Sequence, residues 1–152
     1  SINEQYAPYL AVCLKSLAAH VACDERYRII VMCDNVKNIT MIQLRNVIKD
    51  YENIDIEFVD IRKKMYEYSE SFGQTVTDRQ ENRLYSGEFT LTIYFRLFIA
   101  ELFPELNKAV YIDSDTVIND DIAKLYSVDM GDAMFGAVRD TFAGKYNTGS
   151  LH

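Results

Sequence analysis

Apolar residues repeat at a helical spacing and then at a strand-like spacing, twice in succession, over the first 60 positions of this chain. Apolar positions three and four apart mark a helix, whereas short β-rich or alternating runs mark a strand. The predicted elements are a helix over 7–21, a strand over 28–33, a helix over 41–51 and a strand over 54–58. Because helices that alternate with strands are typical of parallel sheets, we predict an α/β fold with a mostly parallel sheet and flanking helices.

The second half of the chain is less regular. Residues 60–88 are polar, and we expect irregular structure there, with one short helix over 63–69; such a segment is a binding loop, a lid or a solvated excursion. The later predicted elements are a helix over 91–102, strands over 109–112, 116–118 and 133–138, and a short helix over 122–126. Parallel sheets of this kind usually open with a strand, so we expect a first strand that is missing or cut. We expect one domain over 1–152, incomplete at both ends.

Two carboxylates, Asp113 and Asp115, interrupt an apolar run at the end of the predicted strand 109–112. Ligands of open α/β sheets bind at the carboxyl ends of strands, and neighbouring carboxylates repel each other unless a cation lies between them. Oxygen ligands suit Mg²⁺ or Mn²⁺. Asp-x-Asp also occurs in turns, because Asp side chains accept hydrogen bonds from nearby backbone amides. More acid follows at 119–121, which favours a metal, but the spacing alone leaves both interpretations open.

Composition excludes several classes of protein. Of 152 residues, 49% are hydrophobic and only two are proline, which indicates a globular protein. The net charge of −7 argues against nucleic acid as a partner, although a bridging cation would let such a protein bind an anion. No apolar run approaches the length of a transmembrane helix. Cys13, Cys23 and Cys33 lack the spacing of a metal site and fit small buried side chains in a reducing compartment, so we expect a cytoplasmic location.

Several segments, taken in their order along the chain, resemble glycosyltransferase family 8. This family includes bacterial lipopolysaccharide galactosyl- and glucosyltransferases and the glycogenins. The matching segments are 3–10 with 16–17, 92–97 with Pro104, 110–117, 120–125, and Asp140 with 147–149. The resemblance runs through nearly all of the chain, and its specificity comes from order and spacing.

The resemblance implies a Rossmann-like GT-A fold that binds a nucleotide diphosphosugar. It also implies transfer of a hexose from a UDP-sugar, UDP-glucose or UDP-galactose, with retained configuration, to a glycan or a lipopolysaccharide-type acceptor in bacterial cell-surface glycan synthesis. The cofactor would be Mn²⁺ or Mg²⁺, held by Asp113 and Asp115. Tyr6 would stack on uracil and Arg96 would face the sugar and phosphates. The implied nucleotide-sugar-binding residues are Asn3, Tyr6, Arg96, Asp113, Ser114, Asp115, Asp140 and Asn147, of which Asp140 and Asn147 are also the catalytic candidates.

Some positions depart from the family pattern. Asn3 and Gln5 stand where the family usually has Asp and Asn, and its later His-x-x-Gly-x-x-Lys segment does not occur in this sequence. We therefore expect this chain alone to bind the donor weakly or to be inactive, with any peripheral membrane contact made by a part beyond it. Two alternatives stay open. One is a haloacid-dehalogenase-type phosphatase, with Asp113 as nucleophile and Asp115 as acid/base. The other is a non-catalytic module that binds a nucleotide sugar or a partner protein.

Overall fold

A computed structural model describes residues 1–62 and 91–137 of the protein, with the side chains of 91–94 left out. A short strand, β1 (Ile2–Asn3), leads through a 3₁₀ turn (Glu4–Tyr6) into helix α1 (Ala7–Ala18). Strand β2 (Tyr27–Asp34), helix α2 (Asn38–Val47) and strand β3 (Ile54–Asp60) follow. The second described range contains a 3₁₀ helix (Leu91–Phe98), α3 (Ile99–Leu102) and α4 (Ala123–Tyr126).

The three strands form a parallel sheet in the order β1-β2-β3. Tyr27 lies opposite Ile54 and the pairing continues to Cys33 opposite Asp60, whereas β1 meets β2 only at its carboxyl end, with Ile2 opposite Cys33. The helical connection between each pair of strands lets them run in the same direction. The predicted α/β fold with a parallel sheet and flanking helices is therefore confirmed.

Apolar side chains cover both faces of the sheet. Alternate residues of β2, such as Val31 and Cys33, pack with α1 and α2, while the intervening Ile30 and Met32 pack against the segment around Phe95. Successive side chains of a strand point to opposite faces, so β2 contributes to two cores. This explains why the sequence of β2 is a nearly continuous apolar run.

The sequence predicted the early elements well. The predicted first helix begins at Ala7, with Pro8 in its first turn, and ends at Ala18. The predicted strands 28–33 and 54–58 correspond to β2 and β3, and the short helix near 122–126 is α4. Most of the predicted helix 91–102 is 3₁₀ rather than α-helical. Two residues ahead of the first helix form β1, which was not predicted.

Three predicted strands are wrong within the residues that the structure describes. Segments 109–112 and 116–118 contain no strand, nor do residues 133–137, where Met134 and Phe135 are exposed. A short apolar run favours an extended chain, but a strand also needs a hydrogen-bonded neighbour, and no other described segment pairs with these. The predicted helix 63–69 and the polar stretch around it lie outside the described residues, apart from positions 60–62.

Cysteine burial agrees only partly with expectation. All three cysteines are unbridged; Cys13 and Cys33 are buried, but Cys23 is exposed. Burial raises the pKa of the Cys33 thiol to about 12, which keeps it neutral as a small core side chain. In the described ranges, no helix combines the length and apolar character needed to cross a bilayer.

Candidate functional site

The carboxyl ends of the three parallel strands meet at one edge of the sheet. Asn3, Asp34 and Asp60 are the last residues of β1, β2 and β3. The segment that carries Asp113 passes the start of β1, because the Tyr111 hydroxyl lies 2.9 Å from Ser1 Oγ. Because β1 pairs with β2 near the carboxyl end of β2, this segment passes close to the edge where ligands of open α/β sheets bind.

Arg96 connects the 3₁₀ helix to the first carboxylate of the Asp-x-Asp pair. Its Nη2 donates to Asp113 Oδ1 at 3.1 Å, and its guanidinium carbon lies 4.5 Å from the centre of the Tyr111 ring. Burial raises the pKa of the Tyr111 hydroxyl, and the Asp113 charge acts in the same direction. The sequence predicted that an arginine among apolar neighbours needs a partner, and Asp113 is one partner in the structure.

The two carboxylates differ in their surroundings. Asp113 is about half exposed and paired with Arg96, whereas the exposed Asp115 carboxylate makes no hydrogen bond or ion pair within residues 1–62 and 91–137. Ser114 between them is buried, with 7% of its surface exposed. Neither carboxylate accepts a hydrogen bond from a backbone amide in these ranges. Hydrogen bonding within a turn therefore does not explain why two aspartates occur at these positions.

Helix α1 anchors the loop that carries the pair. Thr116 donates its hydroxyl to the Asp113 carbonyl at 2.7 Å and lies 3.7 Å from Cys13 Sγ. Ser16 Oγ donates to the Cys13 carbonyl at 2.9 Å and accepts the Ile118 amide, also at 2.9 Å. These contacts fix residues 113–118 against α1, so the carboxylates are held by a regular element rather than by a long loop. Ser16 belongs to a segment that resembles the family's opening helix, but its role as an anchor of this loop was not predicted from the sequence.

The acids at 120 and 121 do not join the pair. Both oxygens of Asp120 accept from Lys124 Nζ at 2.8 Å, and this ion pair lowers the pKa of Asp120. Asp121 Oδ1 accepts the Tyr27 hydroxyl at 2.8 Å and the Ala123 amide at 2.9 Å. The inference that this second acidic cluster supports a metal is therefore wrong, because it stabilises the start of α4 and its attachment to β2.

Asn3 and Tyr6 lie together at the start of the first helical turn. The Asn3 carboxamide oxygen accepts the Gln5 and Tyr6 amides at 3.0 and 3.2 Å, so this oxygen is used as a helix cap. Tyr6 is partly exposed, and its ring centre lies 5.7 Å from that of Tyr9. Asp140 and Asn147 lie outside the described residues.

Asp34 was not singled out from the sequence as a functional residue. It ends β2 just before Asn35, which has a positive φ of 53°. Burial raises the pKa of Asp34; the Arg62 charge opposes that shift and the Asp60 charge adds to it. The signal that could have found it is the one used for Asp113, an apolar run that stops at a carboxylate.

The chemistry of the donor set fits a divalent cation that also contacts a ligand. Two carboxylates one residue apart supply hard oxygens, and no group of three or more potential ligands occurs in the described part of the chain. Mg²⁺ is commonly held by one or two carboxylates together with substrate phosphates. Asp113 and Asp115 therefore suit a cation whose other ligands come from a diphosphate.

Comparison with known proteins identifies the family. The model of the glycosyl transferase family 8 matches residues 1–150. The chain belongs to this family. A Haemophilus influenzae protein named "Putative glycosyltransferase" is 28% identical over 142 residues, which cover 93% of this chain and 38% of that protein. The Bacillus subtilis general stress protein A is 23% identical over 140 residues, covering 91% of this chain and 44% of that protein.

A solved glycosyltransferase structure shares the fold of this family 8 chain. The apo structure of the bifunctional glycosyltransferase WbbM superposes with a TM-score of 0.65 at 28% identity, covering 86% of this chain and 20% of that one. This similarity agrees with the predicted GT-A type of α/β fold. The chain thus spans less than half the length of each of these relatives. Family membership favours the glycosyltransferase over the phosphatase interpretation.

Proposed function

We propose that this chain forms the donor-binding part of a retaining glycosyltransferase that uses a UDP-sugar and a divalent cation, Mn²⁺ or Mg²⁺. The observation that carries the proposal is the arrangement of Asp113, Asp115 and Arg96: two exposed carboxylates beside one guanidinium at the ligand-binding edge of a parallel sheet. A bridging cation and a bidentate cationic donor both stabilise a bound diphosphate, and this cluster offers ligands for the first and supplies the second.

Arg96 has two roles in this proposal. Without a donor its guanidinium neutralises Asp113, while the face of Tyr111 orients it. With a donor bound, the guanidinium exchanges part of that contact for phosphate oxygens, because its planar fork matches a phosphate as well as a carboxylate. A bound divalent cation, held by Asp113 and Asp115, would offset the negative charge that grows on the departing UDP.

The remaining family positions complete the proposed donor site. The partly exposed ring of Tyr6 is suited to stacking on uracil, and the buried Ser114 offers its backbone near the ribose. Asn3 would contact the donor through groups other than its capping oxygen. Asp140 and Asn147 are proposed to contact the sugar and remain the catalytic candidates.

The donor sugar, the acceptor and the location are proposed from the family resemblance. UDP-glucose or UDP-galactose as donor, a glycan or lipopolysaccharide-type acceptor, a cytoplasmic location and peripheral membrane contact are proposals that follow from the family resemblance. A non-catalytic donor-binding module would use the same contacts without transfer, and a donor hydrolysis assay with Mn²⁺ distinguishes it from an enzyme.

Thermal unfolding with and without ligands tests the proposal. At about 100 times the dissociation constant, UDP with Mn²⁺ should stabilise the chain by about 2.7 kcal/mol, which corresponds to about 5–10 °C in Tm. Asp115→Asn should abolish most of this shift. Asp120→Asn is the matched control, because its carboxylate is bound to Lys124 and should leave the shift intact. A shift that survives Asp115→Asn, or no shift with any nucleotide and metal, would contradict the proposal.

A further inference from the structure

The side chain of Glu4 ties the first 3₁₀ turn to the start of α2. Its Oε2 accepts the Lys37 amide at 2.9 Å, and its Oε1 accepts the Thr40 hydroxyl at 2.7 Å. The pairing of Asn3 with Asp34 makes these contacts possible, because it places the residue after β1 beside the loop that leads from β2 to α2. Glu4 thus joins two segments that lie 33 residues apart in the sequence.

Helix α2 receives no cap from its own N-cap residue. That residue is Lys37, whose side chain makes no capping hydrogen bond, so an acceptor at this helix end has to come from elsewhere in the chain. The two hydrogen bonds lower the pKa of Glu4, the Lys37 amide more than the Thr40 hydroxyl, and the carboxylate is therefore ionised at neutral pH. An anionic acceptor also faces the positive end of the helix dipole, which strengthens the attachment.

The tethered turn carries the aromatic ring of the proposed donor site. Tyr6 is the last residue of the turn, and its amide and that of Gln5 are both bound by the Asn3 side chain. The Tyr6 ring lies beside that of Tyr9 and is partly exposed. Asn3 fixes the turn from within, whereas Glu4 fixes it to α2, so both contacts constrain where the Tyr6 ring lies.

The phosphate end of the proposed site is held by other contacts. Residues 113–118 are anchored on α1 through Ser16, and Arg96 lies against the ring of Tyr111. In the described ranges, neither of these contacts involves Glu4 or α2. A change at Glu4 should therefore disturb the base end of the site and leave the phosphate end in place.

We propose that Glu4 is a positioning residue for the nucleobase of the donor. By fixing the first turn on α2, its carboxylate holds the Tyr6 ring in the orientation that stacks on uracil. The inference rests on the proposed function, because it assumes that Tyr6 contacts the base. Glu4 acts without touching the donor, since both of its oxygens are bound within the fold.

Calorimetric titrations with two probes test this role. UDP with Mn²⁺ reports on the whole site, whereas inorganic pyrophosphate with Mn²⁺ lacks the base. Glu4→Ala should weaken UDP binding by about three- to tenfold, as expected for loss of one aromatic stack, and change pyrophosphate binding by less than about twofold. Glu4→Gln keeps one acceptor and should lie between the two. Glu57→Ala is the matched control, because Glu57 is similarly exposed and pairs with Arg28 at 2.9 Å on β3, so both affinities should stay unchanged.

A double-mutant cycle shows whether Glu4 acts through Tyr6. In a Tyr6→Ala background, Glu4→Ala should weaken UDP binding by less than about twofold, because the ring that it positions is no longer present. General destabilisation of the fold would not depend on the ring in this way. A loss of three- to tenfold that persists without the ring would contradict the inference.

Two further results would overturn the inference alone. UDP affinity that Glu4→Ala leaves unchanged would show that the turn needs no tether, and an equal loss of UDP and pyrophosphate affinity would show general disruption. Failure of the unchanged protein to bind either probe with Mn²⁺ is a different result, which would overturn the proposed function as well. If Glu4→Ala does not fold, Thr40→Val removes only one of the two contacts and should weaken UDP but not pyrophosphate binding; an equal effect on both would again contradict the inference.

Discussion

Replacing Ser16 by alanine should loosen the loop that carries the two carboxylates. The Ser16 hydroxyl both donates to the Cys13 carbonyl and accepts the half-buried Ile118 amide, each at 2.9 Å. Removing it leaves that amide without its acceptor, which costs about 1–2 kcal/mol, while the higher helix propensity of alanine returns about 0.5 kcal/mol. The net loss of about 0.5–1.5 kcal/mol corresponds to a fall in Tm of about 1–6 °C.

Thermal unfolding of Ser16→Ala beside two controls measures this effect. Ser127→Ala removes a hydroxyl that also donates to a carbonyl three residues back, at 2.9 Å, but it is exposed and should change Tm by less than about 2 °C. Ser16→Thr keeps the hydroxyl and should retain most of the stability. In addition, Ser16→Ala should reduce the stabilisation by UDP with Mn²⁺, whereas Ser127→Ala should not. Equal behaviour of the two alanine variants in both measurements would refute the reasoning.

Three further predictions concern single side chains. Tyr27→Phe should lower Tm by about 2–8 °C, because the partly buried hydroxyl bonds a backbone amide and a carboxylate, while Tyr126→Phe, on the surface, should leave Tm unchanged. Burial raises the pKa of Asp34 in the folded chain above its value of about 4 in the unfolded chain, so protonated Asp34 contributes stability that is fully present below about pH 4 and is lost as pH rises through the folded pKa. Asp34→Asn should therefore raise Tm at pH 7 but not at pH 3. An equal change at both pH values would contradict this. Arg96→Ala should tighten Mn²⁺ binding without nucleotide, because the guanidinium no longer competes for Asp113, and weaken UDP binding; calorimetric titrations in which neither affinity changes would count against the proposed role.

Elements whose signal is local were predictable from the sequence. Helix α1 shows its buried stripe at Leu10, Cys13, Leu14 and Leu17, and β2 shows an apolar run bounded by polar residues. Strand β1 escaped detection because two residues carry no periodicity. The predicted strand 109–112 failed for the opposite reason. Its apolar run is clear, but strand formation depends on a neighbour, and the sequence of one segment does not reveal whether that neighbour is in place.

The candidate site likewise contains some residues whose roles the sequence predicted and others whose roles it did not. The abrupt change from apolar to acidic residues revealed Asp113 and Asp115, and the apolar surroundings of Arg96 revealed that it needs a partner. The capping role of Asn3 is a local contact with the next helical turn, whereas the anchoring role of Ser16 depends on a contact with Ile118 that spacing along the chain could not predict. In the second acidic cluster, Asp120 is bound by the nearby Lys124, whereas the bond between Asp121 and Tyr27 joins distant parts of the chain.

The central claim is that Asp113 and Asp115 together hold a cation that also binds UDP. Paramagnetic Mn²⁺ broadens the NMR signals of nearby amides, so a titration at substoichiometric Mn²⁺ in the presence of UDP locates the ion. The account predicts that the amide signals of residues 113–116 broaden first, and more strongly with UDP than without it, since linked ligands strengthen each other's binding. Broadening centred on Asp120 and Asp121, or none that depends on UDP, would contradict it.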